Sequence, residues 1–137
     1  SGYTDSKKSA LFPFGFGLSY TTFSYSNLEI DSEKMKTDGK IRLSVDVTNI
    51  GKVDGEEVVQ LYIRDLVGSL VRPVKELKGF QKIALKSGET KTITFTIDKE
   101  TLQFYTINKK WEVEPGDFHL FIGGDSATKL KTKITVE

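Results

Sequence analysis

Between Gly55 and Asp65 the chain alternates, with Val59, Leu61 and Ile63 on one face and Gln60, Tyr62 and Arg64 on the other. A period of two in β-branched and aromatic residues predicts a strand with one dry face. Gly51 and Gly55 bracket its approach and Gly68 follows its exit, so the strand lies between turns. Three aliphatic groups on one face need a cover, and the flanking sequence supplies strands on both sides. This stretch is expected to be the central strand of a sandwich.

Similar patterns surround it. Phe23 to Ile30 reads as a first strand whose phase slips at Ser26-Asn27, the mark of a bulge or a change of sheet. Asp31 to Lys40 is a charged turn. Ile41, Leu43, Val45 and Val47 then alternate with Arg42, Ser44, Asp46 and Thr48, the cleanest half-buried strand in the chain. Val74 to Leu85 forms a further strand broken at Gly79, with Leu77, Ile83 and Leu85 in one phase and Phe80 in the other. Pro73 bars ladder pairing just before it. After the turn Lys86 to Glu89, Ile93, Phe95 and Ile97 alternate with threonines. Thr101 to Trp111 is mixed, with room for a short edge strand. Glu114-Pro-Gly-Asp117 is a turn signal, Phe118, Leu120 and Ile122 form a strand, and Gly123 to Ser126 turns again. Leu130, Ile134 and Val136 close the pattern, with Lys129, Lys131 and Lys133 outward as on a guarded edge strand. Seven or so short strands without a long helix predict an all-β, immunoglobulin-like antiparallel sandwich. The chain has no cysteine, which favours the fibronectin type III branch over antibody-type domains.

The first 22 residues break the alternation and read as a linker or arm, leaving 23–137 for the sandwich. Within the arm, Phe12, Pro13, Phe14, Phe16 and Tyr20 are interleaved with glycines, a composition that opposes a helix. These rings either complete the domain's own core or dock on a neighbouring domain. Gly15-Phe-Gly17 lacks the third glycine and the strand–helix context of a phosphate loop.

Composition narrows the function classes. The 137 residues are enough for one domain with its own core. Twenty basic against 19 acidic residues leave +1 net charge, giving no field for nucleic acid or an anionic membrane surface. No apolar run reaches the length of a membrane span. The chain begins Ser1-Gly2 and its single methionine is Met35, so a piece of a longer protein is expected.

Several motifs carry a resemblance. Phe12-Pro-Phe-Gly-Phe-Gly-Leu-Ser-Tyr-Thr21 is similar to the opening of the C-terminal module of glycoside hydrolase family 3 enzymes. Asn49-Ile-Gly51, Gly55 to Asp65, Arg72-Pro-Val-Lys-Glu-Leu-Lys-Gly-Phe80 and Glu114-Pro-Gly116 resemble later parts of that module, in the same order. The resemblance implies a non-catalytic fibronectin type III-like domain of a β-glucosidase or related exo-glycosidase, periplasmic or secreted, packed on the catalytic domains of the same chain. In that family the nucleophile and the acid/base come from the preceding domains, so no catalytic residue carries over. The loop Leu66 to Val71 is more apolar than the family pattern.

The residues themselves offer little chemistry. Retaining glycoside hydrolysis needs two carboxylates about 5 Å apart across a cleft. Glu56 and Glu57 would point to opposite faces of a strand, and Glu112 and Glu114 read as surface charge beside a turn. His119 is the only histidine and, with no cysteine present, it has no second soft ligand for a metal. No cofactor is expected. The alternative function is a carbohydrate-binding module in which Tyr62, Tyr105 and Trp111, with Phe104 and Phe121 also available, contact an oligosaccharide. Ordinary packing of those rings is the competing reading.

Overall fold

The computed structural model describes residues 21–66 and 75–137. Among the described residues, seven strands of six or more residues form two sheets, with three two-residue strands and one helical turn between them. In chain order the strands are β1 (Phe23–Ile30), β2 (Lys34–Met35), β3 (Ile41–Asn49), β4 (Gly55–Asp65), β5 (Glu76–Leu85) and β6 (Thr90–Ile97). A four-residue helix α1 (Lys99–Leu102) and the strands β7 (Phe104–Tyr105), β8 (Trp111–Glu112), β9 (Gly116–Gly123) and β10 (Lys131–Val136) follow. One sheet has the order β1-β3-β6 and the other β2-β10-β9-β4-β5, while β7 and β8 form a separate hairpin. The expected all-β sandwich is therefore what the chain adopts.

Alternation becomes burial directly. Leu43, Val45 and Val47 of β3, with Ile93 and Ile97 of β6, face Val59, Leu61 and Ile63 of β4 and Phe118, Leu120 and Ile122 of β9 in one core. Each such aliphatic side chain removed from water contributes about 1.5–3 kcal/mol. β4 has neighbours on both sides, β5 and β9, as a strand with one dry face requires. The geometric middle of its sheet belongs to β9, and β5 is the edge.

The phase slip in β1 lies where the pattern located it: pairing with β3 shifts register between Ser26 and Glu29, and Asn27 takes a positive φ of 55°. Its amide is held there by a 2.8 Å bond to the Asp46 carboxylate.

Three expectations need correction. The stretch 31–40 is more than a turn, because β2 pairs in parallel with β10 at Thr135 and Val136 and buries Met35. β10 is therefore partly covered, although the ladder does not extend to Lys131 or Lys133. Leu77 does not share a face with Leu85. The register of β5 against β4 shifts between Leu61 and Tyr62, an extra residue at Lys78-Gly79 that brings Leu77 opposite Tyr62 and Phe80 opposite Gln60. Both therefore stand on the outer face, 51% and 66% exposed.

Between β6 and the small hairpin, Asp98 caps α1 by accepting from the Thr101 backbone N–H at 3.1 Å, and Leu102 drops into the core. Among the described residues no helix is long and apolar enough to cross a membrane.

Candidate functional site

The Asn49-Ile-Gly51 and Gly55 motif is an architectural knot. Asn49 is fully buried; its Oδ1 accepts from the Thr21 hydroxyl at 2.6 Å and from the Gly51 N–H at 2.9 Å. Its Nδ2 donates to the carbonyls of Val53 at 2.9 Å and Leu85 at 3.0 Å. One amide thus ties the chain entering β1 to the β3–β4 turn and the end of β5, with each of its polar atoms engaged. A Cβ on Gly51 would strike the Thr21 hydroxyl and crowd the Thr21 and Thr22 backbone; one on Gly55 would strike the Thr21 methyl. Close approach is the reason for both glycines.

The acids singled out for chemistry are engaged structurally. Glu57 is 2% exposed, not surface charge, and accepts from the Tyr25 hydroxyl at 2.9 Å. Burial and the neighbouring Glu57 carboxylate push the Tyr25 phenol far above its usual range. Glu112 accepts from the Thr106 hydroxyl and from the Asn108 amide, and these bonds hold its carboxyl below the usual value. An acid catalyst needs the opposite shift.

His119 is half-buried on β9, its ring edge-on to Phe121 with centroids 6.0 Å apart, and its Nδ1 is buried without a hydrogen-bond partner among the described residues. Its pKa is lowered by burial first and then by Lys131, Arg64 and Lys133, with Asp117 pulling the other way.

The structure divides the candidate sugar contacts. Phe104 is buried under the Lys78 ammonium, which lies 4.4 Å from its ring centre, and Phe121 is buried under Lys75. Tyr62 lies half-buried on the outer face, with its hydroxyl bonded to the Gln60 side chain. Tyr105 and Trp111 come together: they face each other across the β7–β8 hairpin as an edge-to-face pair with centroids 5.9 Å apart, and Trp111 is 56% exposed. The docking candidates Phe12, Pro13, Phe14, Phe16 and Tyr20 lie outside the described residues.

A different apolar surface is visible. Leu77 and Phe80 stand exposed on the edge strand β5, and Ile107, Tyr105 and Trp111 are exposed on the hairpin beside it. Lys78 links the two, donating to the Gln103 carbonyl at 2.6 Å while its ammonium lies 5.5 Å from the Trp111 ring centre. The sequence signal for this surface was Phe80 out of phase; Leu77 was hidden by the bulge.

Two sheets of this order closed around one core define a β-sandwich module. Residues 57–126 match the family model of the fibronectin type III-like domain. The chain belongs to that family, in the form found in family 3 glycoside hydrolases. It is 52% identical over 93% of its length to a periplasmic β-glucosidase of Salmonella typhimurium, covering 17% of that protein. A β-xylosidase of Formosa agariphila is 49% identical over 95% of the chain, which spans 18% of it. Among solved structures, a β-glucosidase from Erythrobacter marinus superposes with a TM-score of 0.80 and 39% identity over 100% of the chain and 18% of its own. The chain thus spans about a sixth of the length of the relatives it matches.

Proposed function

We propose that the chain is the non-catalytic module of a β-glucosidase-type glycoside hydrolase, periplasmic or secreted like its Salmonella relative, and that it stabilises the catalytic domains by packing on them. The exposed apolar side chains of this strip, Leu77 and Phe80 on β5 with Ile107 and Trp111 on the β7–β8 hairpin, carry this reading. Leu77 and Phe80 on the edge strand and Ile107 and Trp111 on the hairpin are four large exposed apolar side chains in a small domain, and aromatic anchors are what domain interfaces use. The arm residues Phe12, Pro13, Phe14, Phe16 and Tyr20 would extend the same contact.

The test compares two molecules, the 137-residue chain and the full-length polypeptide encoded by its gene. Leu77→Ser with Phe80→Ser should leave the melting temperature of the short chain within a degree or two, while lowering that of the full-length enzyme by several. Equal effects on both, or none on either, would remove the strip from the interface.

A second reading has its own observation. The Tyr105–Trp111 pair is exposed, with the polar side chains of Asn108 and Glu112 on the same hairpin, and rings presented this way suit stacking on a sugar face. Cello-oligosaccharides added to the chain should then shift Trp111 fluorescence, and Trp111→Ala should abolish the accompanying heat. An unchanged emission spectrum would end this reading.

A further inference from the structure

Two polar residues stand at inner-face positions on the flank where the chain passes from one sheet to the other. Along β5, Gln81 is in phase with Ile83 and Leu85, which pack on the core; along β6, Lys91 is in phase with the buried Ile93, Phe95 and Ile97. Alternation gives both positions to the inner face. Each side chain reaches a backbone carbonyl of the opposite sheet. The Gln81 amide donates to the Thr94 carbonyl of β6 at 2.7 Å, and the Lys91 ammonium donates to the Ala84 carbonyl of β5 at 3.0 Å. The two bonds are reciprocal, because β5 and β6 lie in different sheets and are joined only by the turn at residues 86–89.

The acceptors on β6 are edge groups. The Asn49 N–H donates to the Glu89 carbonyl at 2.9 Å, which sets the phase of the β3–β6 ladder. In an antiparallel ladder, bonded and non-bonded pairs alternate. Counting along the register, Ser44–Thr94 and Arg42–Thr96 are non-bonded pairs, so the Thr94 and Thr96 carbonyls point away from β3. Such carbonyls are what an added strand would bond. Thr94 is taken by Gln81, and Thr96 accepts from the Thr101 hydroxyl at 3.3 Å. Among the described residues β6 ends its sheet. Its eight residues, threonines with Ile93, Phe95 and Ile97 between them, have the composition that favours strand pairing.

We propose that Gln81 and Lys91 form a latch that keeps the β6 edge from pairing with a second copy of this chain. The latch works by occupancy. The Gln81 side chain spans from β5 to β6 and holds a carbonyl that an incoming strand would need, and Lys91 fastens the same flank from the other side. Inward-pointing polar side chains on end strands are one of the ways sheets avoid edge-to-edge association. The latch acts on backbone edges, whereas Leu77 and Phe80 present the outer side-chain face of β5, so it leaves the docking strip open.

The test begins with the parent chain, where the Gln81 side-chain amide protons should exchange slowly with solvent in NMR spectra. Fast exchange there would remove the bond and the latch with it. Gln81→Met with Lys91→Met keeps the length of both side chains and removes both donors. The Ile93 and Phe95 amides should then exchange about tenfold faster, while Leu120 in β9 keeps its rate. In sedimentation the parent should run as one species, and the double variant should shift towards a dimer as concentration rises, with NMR lines broadening first at Thr94 and Thr96. Gln81→Lys alone retains a donor at that position and should sediment like the parent, which separates loss of the donor from any other change at the site. A double variant that sediments like the parent, or a Gln81→Lys variant that associates equally, would overturn the proposal. Equal acceleration of exchange at Leu120 would also overturn it, because the two bonds would then be ordinary contributions to global stability.

Discussion

Asn49 shows how much one buried amide can hold. Its four bonds reach Thr21, Gly51, Val53 and Leu85, so truncation strips partners from four groups, two of them, at Thr21 and Leu85, in buried bonds. Leaving a single buried polar group bare costs about 1–3 kcal/mol. Asn49→Ala should therefore destabilise the chain by about 3 kcal/mol or more, read as a lower midpoint in urea unfolding with an unchanged slope. A midpoint within experimental scatter of the parent would mean that the turn closes without the amide. His119 makes a pH prediction of definite sign. Its folded pKa lies below the ordinary 6.5, so the unfolded chain takes up the proton first as pH falls. Stability is intact above that value and is lost progressively as pH drops from it towards the folded pKa. Comparing unfolding at about pH 5 and about pH 7.5, His119→Gln should flatten this difference relative to the parent. A difference just as steep in the variant would assign it to other groups. Neither role was legible in the letters alone. The resemblance marks Asn49 and Gly51 as a motif, but the reason lies in contact with Thr21, distant in sequence.

At the scale of elements, periodicity succeeds where a strand is long and regular. β3, β4 and β6 follow their alternation residue by residue, because each has one face on the core and one on solvent. β2 and the β7–β8 hairpin escape such reading, since two residues carry no period, and α1 is a single capped turn. β5 misleads for another reason: one added residue at Lys78-Gly79 reverses the phase of everything before it, turning Leu77 from core to surface. The site was half-legible by the same logic, because sequence can name aromatic rings but not their exposure. Tyr105 and Trp111 are brought to one surface only by a hairpin with no sequence period. The bulge also yields a prediction. A Cβ on Gly79 would meet Phe95 at 3.5 Å and Leu61 at 3.9 Å, ordinary contact distances. Gly79→Ala should thus be accepted and, by restricting the unfolded chain, stabilise it by about 0.4–1 kcal/mol. Destabilisation in thermal melts would show that the bulge needs glycine's backbone freedom.

For the whole molecule, the question is whether the sandwich and its small hairpin unfold as one body. Both sheets share a single core, with Leu61 and Ile63 on one side and Val45 and Ile97 on the other. The hairpin has no such core of its own. It is tied down by buried Phe104 and Thr106, by the Lys78 bond to Gln103, and by Leu102 of the preceding turn. Trp111, the only tryptophan, sits exposed on the hairpin, so its emission reports that part of the structure. If those ties suffice, fluorescence and far-ultraviolet dichroism should trace one coincident transition, as for a two-state domain. Leu61→Ala, made some distance along the chain in β4, should then lower both midpoints together by an amount equivalent to about 2–5 kcal/mol. The opposite result is equally specific. A fluorescence transition that precedes the dichroism and ignores Leu61→Ala would make the hairpin a separate, weaker unit. The Tyr105–Trp111 pair would then be a surface that orders only against a partner, which would favour docking over sugar stacking on a preformed platform.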